Sequence, residues 1–274
     1  MISYLIATSI IILHACVLTH AVHSEPQICD ASSADNKCLP SVAIIGAGRM
    51  GVHLAATWAD AGVSVTLCSR NPDKAEKIVA SLLARKGWEE RGIQLPPASI
   101  PDTSDWNLQS GGISAAVHAD VIILAMLPDP TPAFLKTTLK PLIHGQGKKY
   151  IVDINNPWIM GSGLPSDGPK SSVEVNQLAL DDATTFWCAG YKTIYWHELI
   201  PGRKKNYVAK RKPVEIAGDN GCKEKLKLLI ESHGFTAQDK GGFEHALQLE
   251  WMFNRRTRRP VRVHSRDRMK MDGF

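Results

Sequence analysis

The chain has 274 residues, 44% of them hydrophobic, and a formal net charge of +5. That length and composition exclude a disordered chain and suit one large domain, or one domain with extensions. The charge excess is local: residues 255–270 hold eight Arg or Lys against one Asp. We read residues 251–274 as a solvated basic tail, with no specific nucleic-acid partner expected.

Ile2 to Val22 is nearly all apolar and carries no Asp, Glu, Lys or Arg. Residues 1–24 read as a secretory signal peptide, or as an uncleaved anchor long enough to span a bilayer. The expected location is therefore the secretory pathway or a membrane-anchored state, with a cytosolic orientation left open. Membrane association is expected through this segment alone, since no later apolar run approaches its length. Residues 25–40 form a polar linker. Within it, Cys29 and Cys38 are placed to form a small disulfide in an oxidising lumen. No C-x-x-C occurs, and no Cys/His group has zinc spacing, so no metal site is expected.

A domain over residues 41–250 follows. Val42 to Ile45 is an apolar strand that runs straight into Gly46-Ala47-Gly48-Arg49-Met50-Gly51. An apolar strand ending in G-x-G-x-x-G builds a pyrophosphate cradle. Residues 52–61 read as a helix ended by Gly62, and Val63 to Cys68 as a second strand. The resulting β-α-β unit has the size that the glycine fingerprint requires. At the tip of the second strand an NAD enzyme usually places Asp or Glu, to hold the ribose 2′-hydroxyl. Here the tip reads Cys68-Ser69-Arg70-Asn71-Pro72. Arg70 is suited to a 2′-phosphate and Ser69 to a hydrogen bond with it. The cofactor expected is NADP rather than NAD.

Asn71 as N-cap and Pro72 at the first helical position start a helix reaching Arg85. Residues 86–111 read as an irregular excursion around a short strand, and Gly112 to Ala119 as a short helix. Val121 to Leu127 is a continuous apolar run, as for a strand buried on both faces. Leu127, at its end, joins the candidate cofactor-binding residues. A helix over 131–143 and a strand over 150–154 follow. The strand ends in Asn155-Asn156-Pro157, where open α/β sheets bind ligands. The two asparagines are placed to meet the nicotinamide ribose or the acceptor, or simply to form the turn that Asn-Pro favours.

Residues 158–170 form a loop, Ser171 to Asp181 a helix and Phe186 to Ile194 a strand. A basic loop over 200–213 leads to a strand at 214–218 and a helix over 221–233. A last edge strand at 235–239 precedes a helical stretch over 243–253. The fold expected is α/β: a doubly wound, mostly parallel Rossmann sheet with helices on both faces. Lys192 and His197 are the candidate catalytic side chains, as proton donors to a reduced carbonyl or imine. The bland alternative has Tyr191 packed on the sheet and Lys192 solvated.

The ordered set runs from Gly46-Ala47-Gly48-Arg49-Met50-Gly51 through Ser69-Arg70-Asn71-Pro72 and Ala119-Asp120-Val121. It continues with Val152-Asp153-Ile154-Asn155-Asn156-Pro157, Val214-Glu215-Ile216-Ala217-Gly218-Asp219 and Leu249-Glu250. It resembles the deazaflavin-dependent NADP oxidoreductases. It is equally similar to the NADPH-binding reductase domain of the six-transmembrane epithelial antigen metalloreductases. The resemblance implies that Gly46, Gly48 and Gly51 hold a pyrophosphate and that Ser69 and Arg70 hold the 2′-phosphate. It also implies a flavin-like acceptor stacked on the nicotinamide.

Two departures stand out. The family's Lys-Ala-Phe-Asn near the acceptor becomes Ala189-Gly190-Tyr191-Lys192-Thr193 here, without the asparagine. No six-helix haem module is expected after residue 250. The expected activity is hydride transfer between NADPH and a flavin-type or small carbonyl or imine acceptor, in a monomer or homodimer. The alternative is a non-catalytic NADP-binding redox-sensing or scaffold module. A 3-hydroxyacid or pyrroline-carboxylate type of reductase would need a helical second domain.

Overall fold

Among the described residues eight strands of three to five residues, most of them apolar, form the floor of the fold. They are β1 (Val42–Ile45), β2 (Val65–Cys68), β3 (Leu108–Gly111), β4 (Val121–Leu124), β5 (Lys149–Asp153) and β6 (Thr185–Ala189), followed by β7 (Val214–Gly218) and β8 (Ala237–Asp239). The structure, a computed structural model, describes residues 39–84, 102–128, 130–156, 171–199 and 212–250. The apolar N-terminal segment, the Cys29–Cys38 pairing, the loops over 158–170 and 200–211 and the basic tail lie outside those residues. Among the described residues no helix is long and apolar enough to cross a membrane.

The eight strands pair in the order β3-β2-β1-β4-β5-β6-β7-β8. The first six are parallel to their neighbours, β7 is antiparallel to β6, and β8 is parallel to β7. This is the doubly wound, mostly parallel sheet that the alternation of strands and helices predicts. Strand alternation assigns side chains to its two faces. Val42, Ile44, Val121 and Ile123 join one core layer; Ala43, Ile45, Ile122 and Leu124 join the other.

Helix α1 (Arg49–Asp60) and α2 (Pro72–Leu83) cover the first face, together with α6 (Asn220–Ser232). The second face is covered by α3 (Thr131–Phe134), a π-helical turn (Leu135–Leu139), α4 (Lys140–Ile143) and α5 (Ser172–Leu180). The Asn71 side chain caps α2 through the Lys74 N–H, with Pro72 opening the helix, as the sequence suggests. Ser171 and Glu174 form a reciprocal capping box on α5.

Three elements differ from expectation. β6 stops at Ala189 instead of continuing to Ile194. Gly190 lies where a Cβ would meet Leu226 at 2.6 Å, and Tyr191 takes a left-handed backbone, φ 55°. The chain leaves the sheet there, which buries the Tyr191 ring and brings the Lys192 amine to Asp153, Ser172 and Glu250. Second, Lys192 is 1% exposed, so the solvated alternative is wrong. Third, Cys188 and Cys222 form a disulfide joining β6 to the start of α6. No short spacing marks that pair, 34 residues apart.

Candidate functional site

The site is the crevice outside the carboxyl ends of β1 and β4, where the strand order reverses. β1 pairs with β2 on one side and β4 on the other, and the crossovers leave toward opposite faces. Each β1 neighbour carries a candidate contact at its end.

The glycine turn has three distinct jobs. Gly46 has φ 124°, and a Cβ there would lie 2.3 Å from the Ala125 carbonyl oxygen. A Cβ on Gly51 would lie 2.0 Å from the Gly46 carbonyl oxygen, so α1 packs on the turn without room for a methyl. A Cβ on Gly48 would meet nothing within 4 Å. Packing therefore explains Gly46 and Gly51 but not Gly48. Gly48 is also the N-cap of α1, contributes no side-chain cap, and precedes a first turn without acidic residues. A helix start leaves N–H groups without intrahelical acceptors at the positive end of its dipole. Ala47 is buried, Gly48 and Arg49 are exposed, and Met50 is half-buried. This is a cradle that fits a pyrophosphate.

At the end of β2, Ser69 is half-buried and Arg70 exposed. The Ser69 hydroxyl accepts from the Asn71 N–H at 3.2 Å, which leaves its own proton to donate. Asp73 lies in the exposed first turn of α2, past the tip where an acid would meet a ribose. The composition of this tip fits a 2′-phosphate.

The opposite end of the crevice is built by β4, β5 and the segment after β6. Leu127 is 48% exposed beyond β4. Trp196, in the short 3-10 turn Trp196–Glu198, reaches back to α1. The Arg49 guanidinium lies 5.6 Å from its ring centre and the His53 ring 4.9 Å away. The segment after β6 thus meets the first turn of the cradle helix. His197 belongs to the same turn; its side chain lies outside the described residues.

Beneath this end lies a buried polar cluster. Lys192 Nζ donates to Asp153 Oδ1 (3.2 Å), Ser172 Oγ (2.7 Å), Glu250 Oε1 (3.0 Å) and the Asn155 carbonyl oxygen. The Lys192, Asp153 and Glu250 side chains are all fully buried. Ser172 donates to Glu250 through both its N–H and its hydroxyl, and Asn176 donates to Asp153 Oδ2 at 2.8 Å. Burial pushes the Lys192 amine down, but the Asp153 and Glu250 carboxylates outweigh it and hold it above the ordinary lysine value. Nothing in the local sequence joins these residues, which come from β5, α5, the turn after β6 and residue 250.

The two asparagines separate in role. Asn155 is 3% exposed, and its amide faces the end of β4. With the nitrogen on that side it donates to the Met126 carbonyl at 2.6 Å and the Leu124 carbonyl at 3.3 Å. Its backbone N–H donates to Asp153 at 2.7 Å. Asn156 is half-buried, and its Nδ2 donates to the Lys192 carbonyl oxygen at 2.7 Å. Its Oδ1 is buried and has no hydrogen-bond partner among the described residues. Tyr191 packs inside: its hydroxyl meets His233 Nε2 at 2.7 Å and its ring sits edge-on to Trp58. Among the described residues no group of three or more His, Cys, Asp or Glu is placed to hold a metal.

A family model described as NADP oxidoreductase coenzyme F420-dependent matches residues 41–157. Over those residues, under half of its length, the chain is similar to that oxidoreductase family. The match spans β1 to β5, the glycine turn, the Ser69-Arg70 tip and the two asparagines. Over 105 residues the chain is 35% identical to the glycerol-3-phosphate dehydrogenase [NAD(P)+] of Rhodopseudomonas palustris (strain TIE-1). That stretch is 38% of this chain and 28% of that enzyme, so the chain spans under a third of the curated relative. A candidate F420-dependent NADP-reductase from Arthrobacter sp. FB24 superimposes with a TM-score of 0.56 at 20% identity, over 80% of this chain and 92% of that one. A reductive aminase from Aspergillus terreus, solved with NADPH4, cyclohexanone and allyl amine, superimposes with a TM-score of 0.53 at 14% identity, over 80% and 61%. At such identities the structural likeness establishes the α/β fold.

Proposed function

We propose that this chain binds NADP(H) across the β1–β4 crevice and transfers hydride between NADPH and a flavin-type or small carbonyl or imine acceptor. The observation that carries this reading is the open space over Gly48, beside two glycines that packing fully explains. The cofactor, when bound, supplies the hydride chemistry. The protein's residues bind and orient. Gly48 and the first turn of α1 receive the pyrophosphate, while Ser69 and Arg70 grip the 2′-phosphate. Leu127 and Asn156 border the nicotinamide end, with Asn155 anchoring the turn beneath. Positioning of two rings, rather than a protein nucleophile, is what such a reaction needs.

Replacing Arg70 tests the cofactor assignment. Arg70→Ala weakens NADPH binding by about 1–3 kcal/mol, the scale of a hydrogen bond to a charged group, and NADH binding little. Fluorescence titration with both cofactors measures this; equal losses remove Arg70 from the role.

The burial of Lys192 favours a second reading, a redox-sensing or scaffold module that binds NADP without turnover. The lysine that the sequence nominates as a proton donor is closed off and already bonded to four acceptors. NADPH oxidation assayed with flavin, imine and carbonyl acceptors separates the two readings.

A further inference from the structure

Asn156 and Lys192 stand apart from the rest of the crevice in one respect: the lysine grips the asparagine turn with two different atoms. Its Nζ donates to the Asn155 carbonyl oxygen, and its own carbonyl oxygen accepts from Asn156 Nδ2 at 2.7 Å. The Nζ is itself fixed by Asp153, Ser172 and Glu250, so the grip is anchored on β5, on α5 and at residue 250. Only one end of the Asn156 amide can face the Lys192 carbonyl, because a carbonyl oxygen repels another oxygen. The amide orientation is therefore decided by the protein. Its oxygen is held in a fixed direction, buried and without a donor among the described residues.

An amide oxygen left unpaired in the interior is costly, and folded proteins rarely leave one so. It sits at the carboxyl end of β5, on the nicotinamide side of the switch point. The ligand group that answers it is a flat N–H donor. The carboxamide NH2 of a nicotinamide is such a donor. A ribose hydroxyl can donate its one O–H to the same oxygen, but it is present alike in NADPH and in its 3-acetylpyridine analogue, so a titration with both separates the two donors.

We propose that Asn156 Oδ1 accepts a hydrogen bond from the nicotinamide carboxamide, and that Lys192 is the positioning residue that sets this oxygen. The proposal rests on the NADP(H) reading above and names the atom that fixes the ring's orientation. Lys192 is then a support under the site and moves no proton.

The test is a binding titration with three ligands on the whole protein. They are NADPH, its 3-acetylpyridine analogue, in which a methyl replaces the carboxamide NH2, and 2′-phospho-ADP-ribose, which lacks the ring. The wild type is expected to bind NADPH roughly threefold to tenfold tighter than the analogue, the range of one hydrogen bond. Asn156→Ala binds the two within a factor of about two, while its affinity for 2′-phospho-ADP-ribose is unchanged. Asn156→Leu, which keeps the volume and also lacks the oxygen, serves if the alanine variant fails to fold. A wild type indifferent to the analogue, or an Asn156 variant that keeps the preference, overturns the proposal. Failure of all three ligands to bind the wild type instead defeats the cofactor reading itself.

Discussion

Lys192 shows how far one residue's role depends on what surrounds it. As a letter in the sequence it is a solvated lysine or a proton donor. In the fold it is the sole described cation in contact with two fully buried carboxylates. Removing one partner of a buried ion cluster leaves charge uncompensated, at a cost of about 3–5 kcal/mol. Lys192→Met is expected to lose stability on that scale, read from urea midpoints at neutral pH. The pH dependence follows from the sign of the shift. The folded amine titrates above its unfolded value of about 10.4. Its contribution is therefore complete below that value and fades as pH climbs through the higher folded value. Wild-type and Lys192→Met midpoints should stay apart through neutral pH and converge in strong alkali. A gap that persists undiminished into strong alkali would mean that the lysine charge is not the group responsible.

The β1–α1 turn is the element where sequence and structure agree most closely, and its three glycines separate by experiment. Gly46→Ala forces a Cβ into the Ala125 carbonyl at a left-handed φ and should cost about 2 kcal/mol or more. Gly48→Ala meets nothing and loses mainly the glycine's advantage at an N-cap, about 1 kcal/mol or less. Its effect should fall on NADPH affinity, because the new methyl fills the space over the cradle. Thermal unfolding and cofactor titration on the two variants give opposite rankings if this assignment is right. A Gly48→Ala protein that binds NADPH normally would remove the cradle from its role. The end of β6 shows the reverse situation. The sequence predicts the strand as far as Ile194, yet it stops at Ala189, and Tyr191 and Lys192 find buried partners at the end of α6 and on β5 and α5. No local preference announces that departure.

At the scale of the whole molecule, the Cys188–Cys222 bridge ties the antiparallel end of the sheet to α6. Closing a 34-residue separation constrains the unfolded chain by about 3–4 kcal/mol in a chain-entropy account. The double variant Cys188→Ala, Cys222→Ala should lose up to that amount in oxidising buffer, by denaturant unfolding. A reductant should lower the wild type toward the variant. No difference between the two proteins in oxidising buffer would show that the bridge contributes nothing.

The amino-acid order alone determined the class of fold, the crevice, and the glycine turn and Ser69-Arg70 tip that we propose meet the phosphates. Those features rest on short-range rules: apolar runs make buried strands, glycines make a turn that side chains would block, and caps start helices within four residues. The lysine cluster, the separate duties of Asn155 and Asn156 and the disulfide were decided only by tertiary structure. Each joins groups tens of residues apart, and burial in a low-dielectric interior, rather than any neighbour in the chain, sets which charges and hydrogen bonds must meet.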